Sequence, residues 1–158
     1  AECVTSDGRL VFRALKRNHA PYFKLRAGDD WLRVDRPCVL VQRTTAKEQA
    51  RRLIAAELPD AFVREHGGVV VENHLNMVRA IGTPLVAPAV LAALLNSSAV
   101  DQVFRCMNGS VAVSAFELEA IPLPEVGELS RLAQLVASGA DKAALEAECD
   151  RLYGPVNA

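Results

Sequence analysis

The stretch VLVQRTTAKEQARRLIAAELP, residues 39–59, joins an apolar run to a loop that is dense in hydrogen-bond donors. The run from Cys38 to Val41 is rich in β-branched residues, which is typical of a buried strand. The segment RRLIAAEL, which ends at Leu58, is predicted to be a second strand or a short helix. Because so many donors follow a strand, the loop between these segments raises the question of whether it binds a polyanion.

The size and composition of the chain predict one compact soluble domain. It has 158 residues, of which 51% are hydrophobic and 23% charged, so it can bury a core. Its longest apolar stretch, residues 84–95, is too short to cross a bilayer and contains Pro88. The chain opens on Ala1 without an initiator Met and enters directly into an extended-looking segment, which suggests a piece of a longer polypeptide. No leader-like segment stands at the N-terminus, and a cytoplasmic location is expected.

Charge is distributed unevenly along the chain, although the net charge is only -1. Residues 1–52 hold 12 Lys and Arg against 6 Asp and Glu, whereas residues 53–158 hold 6 against 13. A phosphate backbone responds to local charge rather than to the total, so the basic N-terminal third fits a nucleic-acid partner. Solvated basic side chains that keep the surface soluble are the other interpretation.

The pattern of apolar residues predicts an α+β fold with a twisted, mixed or antiparallel sheet, packed helices and a helical C-terminal tail. Short strands and loops are expected in residues 1–36. A third strand is centred on residues 69–71 after Gly67-Gly68, and its continuation past Asn73-His74 is left open. Helical spacing then predicts two helices that meet at residues 96–98.

Local signals define the remaining elements. Asn108-Gly109 predicts a turn into a strand at residues 110–114. Ser114, three residues ahead of Glu117, is the signature of a capping box for a short helix. After Pro124 the sequence predicts two more helices, and Asp141 caps the second of them. We therefore expect a domain over residues 1–124 and a helical extension packed on it over residues 125–158.

Catalytic and metal sites receive little support from the sequence. His66-Gly67-Gly68 resembles the oxyanion-hole segment of lipases, but no Gly-x-Ser-x-Gly supplies a nucleophile. His66 and His74 stand eight residues apart without a third histidine nearby, which argues against a metal site. No Gly-rich dinucleotide or nucleoside triphosphate loop is present. The four cysteines form no Cys-x-x-Cys pair, so reduced and mostly buried thiols are expected.

The segment Asn18-His19-Ala20-Pro21-Tyr22 resembles the Asn/Asp-Pro-Pro-Tyr/Phe tetrapeptide of amino-methylating DNA methyltransferases, which holds the flipped base. The spacing differs by one residue, and no buried strand leads into the segment. We interpret it as a loop, so no catalytic residue is assigned.

Three ordered segments carry a broader family resemblance. They are CVLVQRTTAKEQARRLIAAELP, GGVVVENHLNMVR and LAALLNSSAVDQVFRCMNGSVAVSAFELEAIPLP, which together lie between Cys38 and Pro124. This series resembles the C-terminal, TaqI-like target-recognition domain of adenine-specific DNA methyltransferases from bacterial restriction-modification systems. Its ending is similar to the specificity domains of type I restriction enzymes.

The resemblance implies a DNA-recognition module rather than a whole enzyme. In that family a separate catalytic domain of the same polypeptide binds S-adenosylmethionine, and no cofactor is expected in this chain. The implied partners are double-stranded DNA and that catalytic domain. By residue type, Arg43, Thr45 and Gln49 suit base edges, Lys47, Arg51 and Arg52 suit phosphates, and the strand end at residues 73–76 suits either task. The candidate DNA-binding residues are Arg43, Thr44, Thr45, Lys47, Gln49, Arg51, Arg52, Asn73, His74 and Asn76.

Two alternatives remain open at the level of the sequence. The chain can also be interpreted as a protein docking module whose C-terminal helices bind a partner subunit, with Arg52 in ordinary surface ion pairs and Asn73-His74 capping a turn. An independent small enzyme has no supporting constellation. Asn108-Gly109-Ser110 is interpreted either as a tight turn or as a phosphate contact through free amides.

Overall fold

The computed structural model describes residues 3–5, 8–11, 22–45, 49–107, 110 and 112–154. Three predictions lie outside these residues: the Asn18 to Pro21 part of the tetrapeptide-like segment, the phosphate contact at Lys47, and the turn at Asn108-Gly109. The described strands are β1 Cys3–Val4, β2 Leu10–Val11, β3 Arg33–Val34, β4 Cys38–Gln42, β5 Ala55–Leu58, β6 Val69–Val70 and β7 Leu75–Val78. The α-helices are α1 Asp60–His66, α2 Pro88–Leu95, α3 Ser98–Met107, α4 Ala115–Glu119, α5 Ser130–Ala137 and α6 Lys142–Tyr153.

The fold is built around a three-stranded antiparallel sheet in the order β5-β4-β7. Strand β4 is central, because Val39 lies opposite Glu57 of β5 on one side and Val78 of β7 on the other. Two smaller antiparallel pairs, β1-β2 and β3-β6, flank this sheet. The predicted α+β class is confirmed, and every strand pairing among the described residues is antiparallel.

The central sheet separates two hydrophobic cores, which explains why β4 is apolar at almost every position. Val39 and Val41 face the first core, which contains Leu94, Val100 and Phe104 from the helices. Cys38 and Leu40 face the second core, which contains Leu58 of β5 and side chains from the small sheets and α1. Alternate residues of a strand point to opposite faces, so a strand buried on both faces carries a continuous apolar run.

The structure settles one open point and contains one element that the sequence did not predict. The third predicted strand is present as β6, and the chain past Asn73-His74 forms a separate strand, β7, in another sheet, because Glu72 accepts a hydrogen bond from the backbone N–H of His74 and turns the chain between them. Helix α1 was not predicted; it begins after Pro59 and ends at Gly67, whose φ of 68° is the left-handed conformation that suits a glycine after a helix. The strand predicted at residues 110–114 is described only as a bridge between Thr44 and Ala112.

Two polar side chains from the α2–α3 corner cover the outer edge of β5. The Asn96 side-chain oxygen accepts from the Ala55 backbone N–H at 2.9 Å, and its Nδ2 donates to the Ala55 carbonyl at 2.7 Å. The buried Asp101 carboxylate accepts from the backbone N–H groups of Arg52 at 2.6 Å and Leu53 at 2.9 Å. The helical pair predicted to meet at residues 96–98 is therefore attached to the sheet by hydrogen bonds as well as by apolar packing.

The C-terminal helices belong to the first core rather than lying on the surface. Leu129, Leu132 and Cys149 are buried in the same cluster as Phe104. The predicted capping boxes and caps are confirmed at Ser114 with Glu117 and at Asp141. Among the helices in the described part of the chain, none is long and apolar enough to span a membrane.

Candidate nucleic-acid interface

A small open cleft, which we call the donor cleft, lies where β4 ends and β7 begins. It has a volume of about 240 Å³. Three segments that are far apart in the sequence line it. Its lining residues are Arg43, Thr44, Asn73, His74, Ala112, Val113 and Ser114. Four of the ten predicted DNA-binding residues are thus brought together.

Backbone hydrogen bonds fix the three segments beside one another. The Arg43 N–H donates to the His74 carbonyl at 2.8 Å, and the Arg43 carbonyl accepts from the Val113 N–H at 2.7 Å. The chain after β4 therefore runs between the other two segments as a strand would. Asn76 adds a side-chain bond, in which its Nδ2 donates to the Val113 carbonyl at 2.7 Å. This predicted contact residue supports the wall of the cleft instead of lining it.

The guanidinium of Arg43 is held in place by a backbone carbonyl, and no carboxylate in the described part of the chain pairs with it. Its Nη1 donates to the Asn73 carbonyl at 3.0 Å, and Arg43 remains exposed. A guanidinium has five N–H donors in a fixed fork, so one bond orients the group and leaves others available. The arrangement suits a ligand that presents two adjacent acceptors.

His74 is exposed at the cleft and is oriented by its neighbour Glu72. The Glu72 carboxylate accepts from the His74 backbone N–H at 2.8 Å and lies 2.5 Å from the ring Nδ1. Partial desolvation raises the pKa of Glu72, but the hydrogen bonds from His74 outweigh it and lower the pKa below its usual value. Since Nδ1 faces a carboxylate, Nδ1 carries the proton toward Glu72, and the Nε2 edge faces away from Glu72.

The opposite wall of the cleft is held by the first turn of α4. The Ser114 hydroxyl accepts from the Glu117 N–H at 3.2 Å, while the Glu117 carboxylate accepts from the Ser114 N–H at 2.8 Å. The Glu117 carboxylate accepts from the Ser114 hydroxyl as well, at 2.7 Å, and the two bonds that it accepts lower the pKa of Glu117. The sequence identified Ser114 only as a helix cap, because nothing local indicates that residues 112–114 lie beside residues 43–44.

Thr45 and Gln49 are placed differently from the exposed base contacts that we predicted. Thr45 is only 1% exposed, and its hydroxyl oxygen is buried without a hydrogen-bond partner among the described residues. The Gln49 side-chain oxygen is likewise buried and has no partner within the described ranges. In this arrangement neither group presents its oxygen to a ligand.

Of the two arginines that follow, Arg51 turns its side chain toward α6. Arg51 forms an ion pair with Glu146 of α6, and the Glu146 carboxylate also accepts from the Ser98 N–H at 2.8 Å. Partial burial raises the pKa of Glu146, but these hydrogen bonds and the charge of Arg51 lower it overall. The backbone of Arg52 is bound by Asp101, as described above. These contacts attach residues 51–52 to α3 and α6 on the side of β5.

Other candidate sites have structural explanations. His66 ends α1 and stacks on Phe62, with the ring centroids 4.2 Å apart. Gly68 has φ 131°, and a Cβ there would lie 2.6 Å from the Arg33 side chain, so this glycine permits a close approach. Within the described ranges, no group of three or more His, Cys, Asp or Glu residues could hold a metal ion.

This chain is similar in sequence to parts of known type II methyltransferases. The chain is 36% identical over 104 residues to the type II methyltransferase M.PstI of Providencia stuartii and 34% identical over 98 residues to the type II methyltransferase M.BsuBI of Bacillus subtilis. The matches cover 64% and 61% of this chain but only 20% and 19% of those two proteins. The chain therefore spans about a fifth of the length of the curated relatives it matches. No protein-family model and no solved structure matches it significantly.

Proposed function

We propose that this chain is a sequence-specific DNA-recognition module of an adenine-specific, type II restriction-modification methyltransferase that acts in the cytoplasm. Its similarity to one fifth of two type II methyltransferases is the observation that carries the proposal. A segment of that size is a part of a larger enzyme, and the donor cleft gives it a surface suited to base edges. The finer assignment, a TaqI-like target-recognition domain, rests on the ordered segments between Cys38 and Pro124 and belongs to this proposal.

The proposed DNA contacts are the four cleft residues that the sequence predicted. Arg43 has a guanidinium fork that matches the O6 and N7 acceptors of guanine in the major groove. Asn73 has an amide that matches the N6 and N7 edge of adenine. Thr44 and His74 offer further polar atoms on the same rim. Lys47 and Arg52 keep their proposed phosphate roles, whereas the side chain of Arg51 serves mainly to attach the loop to α6.

We assign S-adenosylmethionine to the catalytic domain of the parent polypeptide and not to this chain. The sequence has no Gly-rich cofactor loop, and among the described residues no Gly-rich turn joins a strand to a helix. In the proposed enzyme the catalytic domain supplies methyl transfer, while this chain selects the site.

Arg43 provides the test, because base reading and simple charge attraction predict different results. Duplexes bound by the 158-residue chain would be selected from a random pool, and the affinity would be measured for the selected site and its single-base variants. Arg43→Lys keeps the charge but loses the fork, so discrimination at one base pair should fall by about 1–3 kcal/mol. Arg64→Ala, which removes an exposed arginine from α1, is the matched control and should change little.

The background for this measurement is weak non-specific binding, on the order of 10⁻⁴ to 10⁻⁶ M at physiological salt. If Arg43→Ala weakens all sequences equally and makes the salt dependence shallower by about one phosphate contact, Arg43 neutralises phosphate and does not read a base. If selection enriches no sequence and the wild-type affinity does not depend on salt, the chain does not recognise DNA.

A protein docking module is the second candidate, and one observation favours it. A larger cleft of about 780 Å³, which we call the distal cleft, lies where β4 begins and β7 ends, between residues 34–37 and 79–84. Its rim includes Ile81, which is fully exposed, and Leu85 nearby is also exposed. Binding of the chain to the catalytic part of the parent enzyme, with no affinity for DNA, would favour this candidate over the first.

A further inference from the structure

We propose that Phe116 is a stacking residue that contacts a nucleobase or base step at the rim of the donor cleft. The inference rests on the proposed function and extends it to a residue that no sequence motif indicated. Phe116 is 80% exposed, although an aromatic ring of its size is normally valuable in a core. What the exposed ring faces depends on the orientation of α4, which carries it.

The orientation of α4 is fixed at its first turn and along one face. The reciprocal hydrogen bonds of Ser114 and Glu117 hold the first turn, and Leu118 packs against the first core. Positions 116 and 118 are about 200° apart around a helix, so the face that carries Phe116 is directed away from the core. Rotation of the helix that buried Phe116 would remove Leu118 from the core, so the ring stays outside.

The ring is directed toward the donor cleft along the helix axis as well. Ser114, the N-cap of α4, lines the cleft, and Phe116 follows it by two residues. Helical side chains lean toward the helix N-terminus and cover the turn that precedes their own Cα. The side chain of Phe116 therefore extends toward the end of α4 at which Ser114 lines the cleft.

This combination of a polar cleft and an apolar ring on its rim matches what nucleic-acid bases offer. Base edges carry hydrogen-bonding atoms, and base faces stack on aromatic rings. In a duplex, a ring reaches a base face where a base step is opened or a base is flipped, and stacking there depends on the aromatic ring rather than on charge. Phe116 would thus contribute affinity that salt does not remove, in contrast to a phosphate contact.

The first test measures the affinity of the full chain for its selected duplex after Phe116→Ala, Phe116→Leu and Phe116→Tyr. Phe116→Ala should weaken binding roughly tenfold, the size of effect that base stacking produces in alanine substitutions. Phe116→Leu should not restore it, because the ring is lost, whereas Phe116→Tyr should. Ile81→Ala is the matched control, since Ile81 is fully exposed but lies on the distal cleft at the other end of the sheet.

The second test places a fluorescent ring at the site. The chain has one tryptophan, Trp31, so Phe116→Trp combined with Trp31→Phe gives a single reporter. Stacking on a base should quench its emission when DNA is added, and Ile81→Trp in the same background should not respond. Circular dichroism and thermal unfolding of each variant verify that the fold is kept, as expected for exposed positions.

The outcomes separate this inference from the proposed function. If Arg43→Ala weakens DNA binding while Phe116→Ala does not, or if bound DNA leaves the emission of the Phe116→Trp reporter unchanged, the stacking role is overturned and the DNA-recognition function stands. If Phe116→Ala impairs association with the catalytic part of the enzyme but not with DNA, Phe116 belongs to a protein interface and the inference is also overturned. If no variant or wild-type chain binds DNA, both fail together.

Discussion

Asp101 shows how one side chain can position a loop that is distant in sequence. Its carboxylate is 5% exposed and accepts from the backbone N–H groups of Arg52 and Leu53 and from the Arg105 Nε at 2.7 Å. Arg105 in turn donates to the Ala50 carbonyl at 2.7 Å. Residues 50–53 are therefore held against α3 by a charged network that no local sequence pattern reveals.

Replacing this carboxylate should destabilise the chain strongly. Asp101→Ala leaves two backbone N–H groups without their acceptor and Arg105 without its ion pair, so the free energy of unfolding should fall by about 2 to 5 kcal/mol. Urea unfolding followed by circular dichroism measures the change. Asp150→Ala, at an exposed position on α6, is the control and should stay within about 0.5 kcal/mol of wild type. Equal effects of the two substitutions would show that the Asp101 network contributes nothing to stability.

At the scale of elements, local sequence signals predicted the helix caps. They did not predict which residues from distant parts of the chain lie side by side. The Ser114 capping box and the Asp141 cap are complete within three residues of sequence, so both were predictable. The partner of Arg51 is Glu146, which lies 95 residues further along the chain. The sequence suggested a phosphate contact for Arg51. Sequence alone does not distinguish an arginine that is solvated from one that forms an ion pair with a distant carboxylate.

Helices α5 and α6 are joined by a carboxylate that gives the fold a predictable pH dependence. Glu148 is buried and contacts Arg151 through Nη2 at 2.6 Å and Arg131 through Nε at 3.2 Å. The hydrogen bonds from Arg151 lower the pKa of Glu148, outweighing desolvation, and the charges of Arg151 and Arg131 lower it further. A carboxylate with a lowered folded pKa stabilises the fold above its unfolded value, near 4.5, and loses that contribution as the pH falls through the folded value.

Glu148→Gln should therefore reduce the loss of stability in acid. The difference in unfolding free energy between wild type and variant should be constant above about pH 5.5 and shrink below about pH 4.5. Chemical denaturation at a series of pH values measures it, with Glu119→Gln as an exposed control on α4. A difference that stays constant down to the acid limit would contradict the ion-pair role of Glu148.

At the scale of the whole molecule, the helical tail and the sheet share one core. The sequence correctly indicated an α+β chain with helices at its C-terminus, because the helical spacing there is regular. It predicted a domain over residues 1–124 and a helical extension over residues 125–158 that packs on it. Leu129, Leu132 and Cys149 are buried in one cluster with Phe104, so the extension shares a core with the preceding helices. The donor cleft also forms only when distant parts of the chain come together, because it is lined by residues 43–44, 73–74 and 112–114.

Truncation after Pro124 tests whether the extension is separable. Removing it takes away Leu132 and Cys149, both fully buried, and exposes the helices that they cover. Each buried leucine contributes about 1.5–3 kcal/mol, against a total stability of roughly 5–15 kcal/mol, so the loss of the whole tail should abolish cooperative folding. Leu132→Ala in the full chain should cost about 2–5 kcal/mol and leave it folded. A truncated chain with a sharp urea transition would establish residues 1–124 as an independent domain.

The hydrogen bonds from Asn96 to Ala55 have a consequence for the behaviour of many copies in solution. An uncovered outer strand offers its backbone groups to a strand of another molecule, which is a common start of aggregation. Asn96 occupies both backbone groups of Ala55, and Asp101 occupies the N–H of Leu53 two residues earlier. These backbone groups are therefore not available to a strand of another copy. The side chains of α2–α3 thus protect the beginning of the β5 edge while they hold the sheet in place.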